Sequence, residues 1–427
     1  MAQPAVGRMT VAEFLAWDDG TEQRYEPIDG RPVAMNPPGG PHRTITANAT
    51  GVALAALRDR PSCRPENEAG ISRRRRGLPP TFAFDLCPRA RQPSAGRDRE
   101  GATMAERRSY LPVSGMELPR FAGIPTFMRL PHVPVEEADD VQIGLIGVPW
   151  DGGTTNRPGP RHGPRQLRDA STMIRLLNQA TRLRPFHMAR CADLGDCPVN
   201  PADVQDSLQR VSAFYGRVRA KGIVPMTAGG DHLVSLPVLR GLVGHGAPVA
   251  MIHFDAHTDF YDSYFGGFRF THGTPFRRAA EEGLIDTSRV VQIGIRGSAY
   301  DGEDVEWARA HGVRIFMIEE VMDKGVDAVM AEARAIVGDQ LTYVSFDIDS
   351  IDPSQAPGTG TPEIGGLTTH MAQRMIRKLQ GLNLIGADLV EVSPPFDPSG
   401  MTAWVGVNIM FELLCVLADA VQRRSAA

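Results

Sequence analysis

From about Asp140 onward, short apolar runs rich in β-branched residues alternate with amphipathic segments of helix length. Strand, helix and strand at this spacing predict a parallel sheet that is buried on both faces. The predicted strands are 141–148, 223–227, 249–254, 290–295, 313–318, 341–346 and 384–390. The predicted helices are 163–179, 202–220, 273–283, 303–311, 319–336, 368–380 and about 404–421. An α/β fold is therefore expected.

The composition suits a soluble globular chain large enough to bury an extensive core. Of its 427 residues, 42% are hydrophobic and 22% are charged. The formal net charge of -4 gives no overall field that would attract nucleic acid or anionic lipid. Five cysteines are few and odd in number, which favours reduced thiols and a cytoplasmic protein. We see no export signal and no apolar run that approaches a membrane span, so no membrane is expected.

Three clusters of acidic residues and histidines each follow a predicted strand. Gly229-Gly230-Asp231-His232, Asp255-Ala256-His257-Thr258-Asp259 and Asp347-Ile348-Asp349 all lie at such strand ends. Ligands of parallel α/β sheets collect outside the carboxyl ends of the strands, so the clusters are expected to meet in space. The alternation of Asp255, His257 and Asp259 at a period of two indicates an extended strand end that points all three side chains the same way.

These side chains suit a site for two metal ions. Carboxylate-rich ligation with one histidine per ion favours Mn²⁺ over Zn²⁺, which prefers more nitrogen or sulfur ligands. Asp255 and Asp347 are expected to bridge the two ions, and a water held between two cations readily loses its proton. The predicted ligands are His232 and Asp259 on one ion, His257 and Asp349 on the other, and the shared Asp255 and Asp347.

The clusters, together with two longer motifs, resemble the ureohydrolase superfamily, which includes the arginases and agmatinases. The longer motifs are Ser345 to Pro353 and Ala356 to Glu363, and the resemblance extends from about Glu117 to the C-terminus. It implies a three-layer α/β/α fold with a sheet of about eight strands, two Mn²⁺ ions bound by the residues just named, and release of urea from a guanidinium group.

The resemblance also implies roles for residues outside the clusters. His272 matches the active-site histidine of the family and is expected to move protons. Glu391 matches the glutamate that pairs with the substrate guanidinium, for which a carboxylate is the right partner. Asp259 is a further candidate for proton transfer. Hydroxide supplied by the metal site would attack the guanidinium carbon, and the departing amine would take a proton.

The identity of the guanidino substrate is less constrained. Segments 119–131, 147–157 and 261–278 look most like the guanidinopropionase and guanidinobutyrase branch, which indicates 3-guanidinopropionate as the substrate. A carboxylate tail requires a cationic or hydrogen-bonding partner, and Asn156, Arg157 and Arg269 are the candidates. Agmatine, which carries an ammonium group instead, and 4-guanidinobutyrate remain alternatives.

The N-terminal part has a different character. Met9 to Trp17 and Arg24 to Gly30 resemble the start of a restriction-endonuclease-like family, but the Glu-x-Lys of its nuclease centre is missing. We interpret residues 1–76, which end with four consecutive arginines (Arg73 to Arg76), as a truncated, inactive α+β fragment, 77–110 as a poorly ordered linker, and 111–427 as the catalytic domain. Met104 is a candidate for an original start.

Two non-enzymatic alternatives remain open: a DNA-binding fusion protein and a metal-binding regulator that has lost catalysis. The leading hypothesis is the enzyme, with a small guanidino compound as its partner and no nucleic acid or membrane. The resemblance implies a homo-oligomer, either a hexamer or a trimer.

Overall fold

The structure, a computed structural model, describes residues 24–28, 31–35 and 109–426. The chain divides into two compact units, Met1–Thr103 and Met104–Ala427. In the first unit, β1 (Arg24–Ile28) and β2 (Arg31–Met35) form an antiparallel pair in which Arg24 lies opposite Met35. The proposed linker and most of the proposed N-terminal fragment lie outside the described residues, so their interpretation stays a prediction.

The second unit is built on an eight-stranded sheet in which every neighbouring pair of strands is parallel. The strand order is β4-β3-β5-β10-β9-β6-β7-β8. The bounds are β3 Ile143–Gly147, β4 Cys191–Asp196, β5 Val224–Ala228, β6 Val249–Phe254, β7 Ile285–Ile295, β8 Arg314–Met317, β9 Thr342–Asp347 and β10 Leu384–Val390.

Helices cover both faces of this sheet, as a parallel sheet requires. Their bounds are α1 Gly163–Ser171, α2 Pro185–Met188, α3 Val204–Ala220, α4 Ser235–Val243, α5 Pro275–Glu281, α6 Glu303–Ala310, α7 Ile318–Val337, α8 Thr369–Arg377 and α9 Met401–Ala426. The cores on the two faces are separate, one of them containing α7, α8 and α9 and the other α3 and α4. The predicted three-layer α/β/α architecture is confirmed.

The sequence patterns missed strand β4 and helices α2 and α4, and they overextended helix α1. Strand β4 (Cys-Ala-Asp-Leu-Gly-Asp) lies at the sheet edge and contains residues that are uncommon in strands. Helix α4 contains Pro237, which is tolerated there because it lies in the first turn. Helix α1 ends at Ser171, well before the predicted residue 179.

The C-terminal helix α9 requires a correction to the membrane prediction. By length and composition it could cross a membrane, although we had expected no apolar run of this kind. However, 83% of its most apolar window is buried inside the protein. It packs against α1, α2, α8 and β10, so its apolar character is explained by its place in the core.

Candidate active site

The three predicted clusters lie together at the carboxyl end of the sheet. His232 follows β5, Asp255 to Asp259 follow β6, and Asp347 ends β9. These strands belong to the central group β5-β10-β9-β6, and β10 adds Glu391 directly after Val390. Four adjacent strands therefore direct their ends into one place.

One imidazole nitrogen lies at the centre of the first half of the site. Nδ1 of His232 is 3.0 Å from Oδ2 of Asp255, 2.9 Å from Oδ2 of Asp259 and 3.1 Å from Oδ2 of Asp347. The nitrogen is buried and none of these contacts satisfies it as a hydrogen bond. An octahedral ion with bonds of about 2.1 Å places neighbouring donor atoms about 3 Å apart, which fits this arrangement.

His257 occupies the second half of the site. Its Nδ1 lies 3.1 Å from Oδ2 of Asp349 and 3.5 Å from Oδ1 of Asp255. Asp255 therefore presents one oxygen towards each histidine, as a ligand shared by two ions would.

Backbone amides hold three of these carboxylates in orientation. Oδ1 of Asp255 accepts a hydrogen bond from the backbone N–H of His257. In the same way, Oδ1 of Asp347 accepts from the N–H of Asp349, and Oδ1 of Asp349 accepts from the N–H of Ala256. In each case Oδ2 remains directed towards a histidine. By contrast, both oxygens of Asp231 accept from backbone amides, which explains why this acid of the first cluster is not part of the ligand set.

The local backbone differs from the extended strand end that we predicted. Strand β6 ends at Phe254, and Asp259 has a φ of 56°, in the left-handed region. Asp349 lies in a short 3-10 turn, Ile348–Ser350. The period-two argument was therefore wrong about the conformation, although the side chains it selected do converge.

The electrostatics of the site call for cations. Burial, with the charges of Asp349 and Asp255, raises the pKa of Asp347 well above its ordinary value. Burial also opposes protonation of His232, but the charge of Asp259 and the close carboxylates of Asp255 and Asp347 raise the pKa of His232 well above normal. Buried carboxylates are stable when they are paired or coordinate metals. The donor set of four carboxylates and two imidazoles therefore fits two hard divalent ions.

His272 and Glu391 form a pair beside the clusters. Nδ1 of His272 lies 2.9 Å from Oε1 of Glu391, and the backbone N–H of His232 donates to the same oxygen at 2.9 Å. At the other side of the ring, Nε2 of His272 contacts the Thr155 hydroxyl at 2.8 Å. The second oxygen of Glu391, Oε2, is buried and has no hydrogen-bond partner. It remains available to a donor group of a ligand.

The charge of Glu391 changes the protonation of His272. Burial opposes the imidazolium form, but Glu391, followed by Asp259 and Asp231, outweighs it and raises the pKa of His272 to about 9. In the metal-free protein this shift favours the imidazolium form of His272, which can give up a proton.

A cavity of about 420 Å³ opens above this group. The predicted residues His257, Asp259, Asp347, Asp349, His272 and Glu391 line it, together with Asn156 and Arg157. Arg269 is outside this lining, because it forms ion pairs with Glu281 at 2.6 Å and Asp262 at 3.5 Å and is half exposed. Arg269 therefore makes no contact with this cavity in the structure.

Several residues of the site were missed by the sequence reasoning. Nε2 of His253 lies 2.7 Å from Oδ2 of Asp255, and the side-chain amide of Gln292 contacts Nδ1 of His253 at 2.8 Å. His253 precedes Asp255 by two residues, so the alternation within β6 could have identified it. Tyr261, Tyr264 and Tyr300 line the cavity and pack edge to face, which no local pattern indicated.

Comparison with known proteins agrees with this geometry. The family model described as "Arginase family" matches residues 141–415. The chain belongs to the arginase family. It is thus a ureohydrolase, a hydrolase that acts on C–N bonds. The match begins beyond the N-terminal unit, and the restriction-endonuclease-like resemblance has no support.

The similarity of this arginase-family chain to individual relatives extends over nearly the whole length of each relative. It is 57% identical to guanidinopropionase from Pseudomonas aeruginosa over 312 residues, which is 73% of this chain and 97% of that protein. It is 46% identical to mitochondrial agmatinase from Gallus gallus, covering 73% of this chain and 90% of that protein. Among solved structures, proclavaminate amidino hydrolase from Streptomyces clavuligerus is 39% identical with a TM-score of 0.68, covering 71% of this chain and 99% of the other.

Proposed function

We propose that this chain is a Mn²⁺-dependent hydrolase of 3-guanidinopropionate that releases urea and β-alanine. The observation that carries the proposal is the combination of two histidine–carboxylate groups with the unpaired Oε2 of Glu391 in one cavity. The similarity to a guanidinopropionase over most of the chain supports the substrate.

The metal ions would be held by the six predicted ligands. His232 and Asp259 would hold one ion, His257 and Asp349 would hold the other, and Asp255 and Asp347 would contribute to both. Two such ions, when bound, lower the pKa of a shared water and supply a nucleophile at neutral pH. The choice of Mn²⁺ follows from the predominance of carboxylate oxygen among the donors.

Protein side chains would orient the substrate and move its protons. Oε2 of Glu391 receives the guanidinium N–H groups and holds the carbon beside the metal ligands. His272, protonated at neutral pH, supplies the proton that the departing amine requires. The Thr155 hydroxyl touches Nε2 of His272 and also lines the cavity, so it offers a path for this proton.

Arg157 is the proposed partner of the substrate carboxylate. Its guanidinium stacks on the ring of Phe396 at 3.8 Å, and no carboxylate within residues 109–426 forms an ion pair with it. A preordered cation that lacks an ionic partner suits the binding of an anionic tail.

One observation favours agmatine as a second candidate. Glu363 also lines the cavity, and its carboxylate would suit the ammonium group of that substrate. The mitochondrial agmatinase relative is consistent with this alternative.

Turnover of 3-guanidinopropionate, 4-guanidinobutyrate, agmatine and arginine by the Mn²⁺-loaded protein tests the proposal. We expect the highest kcat/KM for 3-guanidinopropionate. Arg157→Met should raise its KM by about 10-fold or more, because a charged hydrogen bond contributes about 1.5–3 kcal/mol. Arg269→Met is the matched control, with an unchanged KM. A preference for agmatine that Glu363→Gln abolishes would replace the proposed substrate with the second candidate.

Two further expectations remain proposals. We propose that the chain forms a homo-oligomer and works in the cytoplasm. Light scattering of the purified chain and fractionation of the cells that produce it test the two statements separately.

A further inference from the structure

A row of polar residues crosses the centre of the sheet beneath the site. The strand register aligns Thr227 of β5 with Asp388 of β10, Asp388 with Ser345 of β9, Ser345 with His253 of β6, and His253 with Gln292 of β7. All five side chains are completely buried. Polar groups are rarely placed in the middle of a parallel sheet, where both faces are covered.

Asp388 is the acidic member of this row, and it is surrounded by hydroxyl groups. Its Oδ1 accepts from Ser345 at 2.7 Å, while its Oδ2 accepts from Ser235 at 2.6 Å and from Tyr343 at 2.8 Å. Within the described part of the chain, no lysine, arginine or histidine forms an ion pair with it. A buried carboxylate without a cation is costly, so three hydroxyl bonds alone are a weak reason to retain it.

The hydrogen bond from Ser345 to Asp388 determines which tautomer His232 adopts. Because a carboxylate can only accept, the Ser345 proton points towards Asp388. Oγ of Ser345 lies 2.9 Å from Nε2 of His232 and must therefore accept the Nε2–H of that ring. The proton of the neutral imidazole is thus placed on Nε2, and the lone pair on Nδ1 is left to face Asp255, Asp259 and Asp347.

We propose that Asp388, acting through Ser345, is a positioning residue that holds His232 in the Nδ1-ligating form and sets the affinity of the first metal ion. The inference rests on the proposed function in so far as that function requires metal. Carboxylate–histidine–metal arrangements orient a ligand and raise its basicity, and loss of the outer partner typically lowers metal affinity about 10- to 100-fold. Here a serine hydroxyl connects the carboxylate to the ring.

The test compares variants that each remove one of the three hydroxyls around the same carboxylate. Ser345→Ala breaks the connection to His232, whereas Tyr343→Phe and Ser235→Ala remove bonds to the other oxygen and are the matched controls. Asp388→Asn keeps the size but removes the charge. Titration of the metal-free protein with Mn²⁺ gives the affinity for each ion, and thermal unfolding of the metal-free protein reports the structural cost.

We expect Ser345→Ala and Asp388→Asn to lower the affinity for one of the two Mn²⁺ ions by about 10- to 100-fold and to leave the affinity for the other nearly unchanged. Tyr343→Phe and Ser235→Ala should keep wild-type affinity even where they lower the unfolding temperature. Wild-type affinity in Ser345→Ala, or an equal loss in the controls, would overturn the proposal.

A second measurement does not depend on metal. In the protein with ¹⁵N-labelled histidine, the Nε2–H of His232 should give a proton signal that exchanges slowly with water, assigned by its absence in His232→Asn. We expect the signal to be lost in Ser345→Ala and retained in Tyr343→Phe. Retention in Ser345→Ala would contradict the connection. Failure of the wild type to bind Mn²⁺ would contradict the proposed function. The Nε2–H signal would still show whether Ser345 accepts the proton of His232.

Discussion

The alkaline limb of the pH–rate profile is expected to depend on Glu391. The proximity of its carboxylate, 2.9 Å from Nδ1 of His272, is the main influence that raises the pKa of this histidine from 6.5 to about 9 against the opposing effect of burial. If imidazolium supplies the proton to the departing amine, activity is present below this pKa and is lost as the pH rises through it. The wild-type rate should therefore fall in the region of pH 9.

Glu391→Gln preserves the shape of the side chain and an oxygen that can accept from His232, but it removes the negative charge. Asp259 and Asp231 still raise the pKa of His272, so only part of the increase should disappear. We expect the alkaline limb to move down by about one to two pH units, which corresponds to about 1.4–2.7 kcal/mol. The absolute kcat/KM should also fall, because the guanidinium loses its ionic partner.

The assay is urea release from 3-guanidinopropionate between pH 6 and pH 10.5 at saturating Mn²⁺, with kcat/KM determined at each pH for both proteins. Thr155→Val is the control, because it removes the hydroxyl at the other ring nitrogen, Nε2, without a change of charge and leaves the backbone N–H of residue 155 beside that nitrogen. Its alkaline limb should stay close to that of the wild type. An identical limb in Glu391→Gln and wild type, or an equal shift in Thr155→Val, would refute the role assigned to the pair.

Three further outcomes are expected. Asp259→Asn should lower activity about 10²- to 10⁴-fold, since it removes both a metal ligand and a candidate proton carrier. The metal content of the variant is measured by elemental analysis. Unchanged activity with two ions per subunit would rule out both roles. Removal of metal by a chelator should lower the unfolding temperature more at pH 8 than at pH 6. The reason is that the pKa values of His232 and His257 are raised well above 6.5 in the folded, metal-free protein, so this form loses stability as the pH rises above that value. Calorimetry at the two pH values checks this, and equal decreases would contradict it. A shortened chain that begins at Met104, where the second compact unit starts, should retain the kcat and KM of the full chain, and a loss of activity would show that the first unit contributes.

The pattern of apolar runs was sufficient for most of the fold because parallel strands are buried on both faces. Val249 to Phe254 and Leu384 to Val390 were predicted with the bounds that the structure shows. Strand β4 lacked the signal, since Asp193 and Asp196 bind Arg168 at the sheet edge. These two aspartates form contacts with a residue distant in sequence, and a local hydrophobic pattern cannot reveal such contacts.

For the candidate site, the sequence identified the groups that face the cavity more completely than the groups that support them. His232, Asp255 and Asp349 lie within short motifs, so adjacent letters suggest their proximity. Ser345 and Asp388 are separated by 43 residues and meet only because β9 and β10 are neighbours in a particular register. Strand order is decided by packing across the whole sheet, and periodicity along the chain does not reveal it.

The orientation of the carboxylates suggests that the site is formed before metal binds. Asp255, Asp347 and Asp349 each commit Oδ1 to a backbone amide of the same site, which fixes Oδ2 near a histidine. Rotating any of these groups away would leave a buried amide without its acceptor, at a cost of about 1–3 kcal/mol. Separating the carboxylates would therefore cost free energy, even though their charges repel one another. Binding of cations relieves that repulsion without rearranging the strands, so the backbone contacts that hold the acids together in the metal-free protein also preorganise the site for metal.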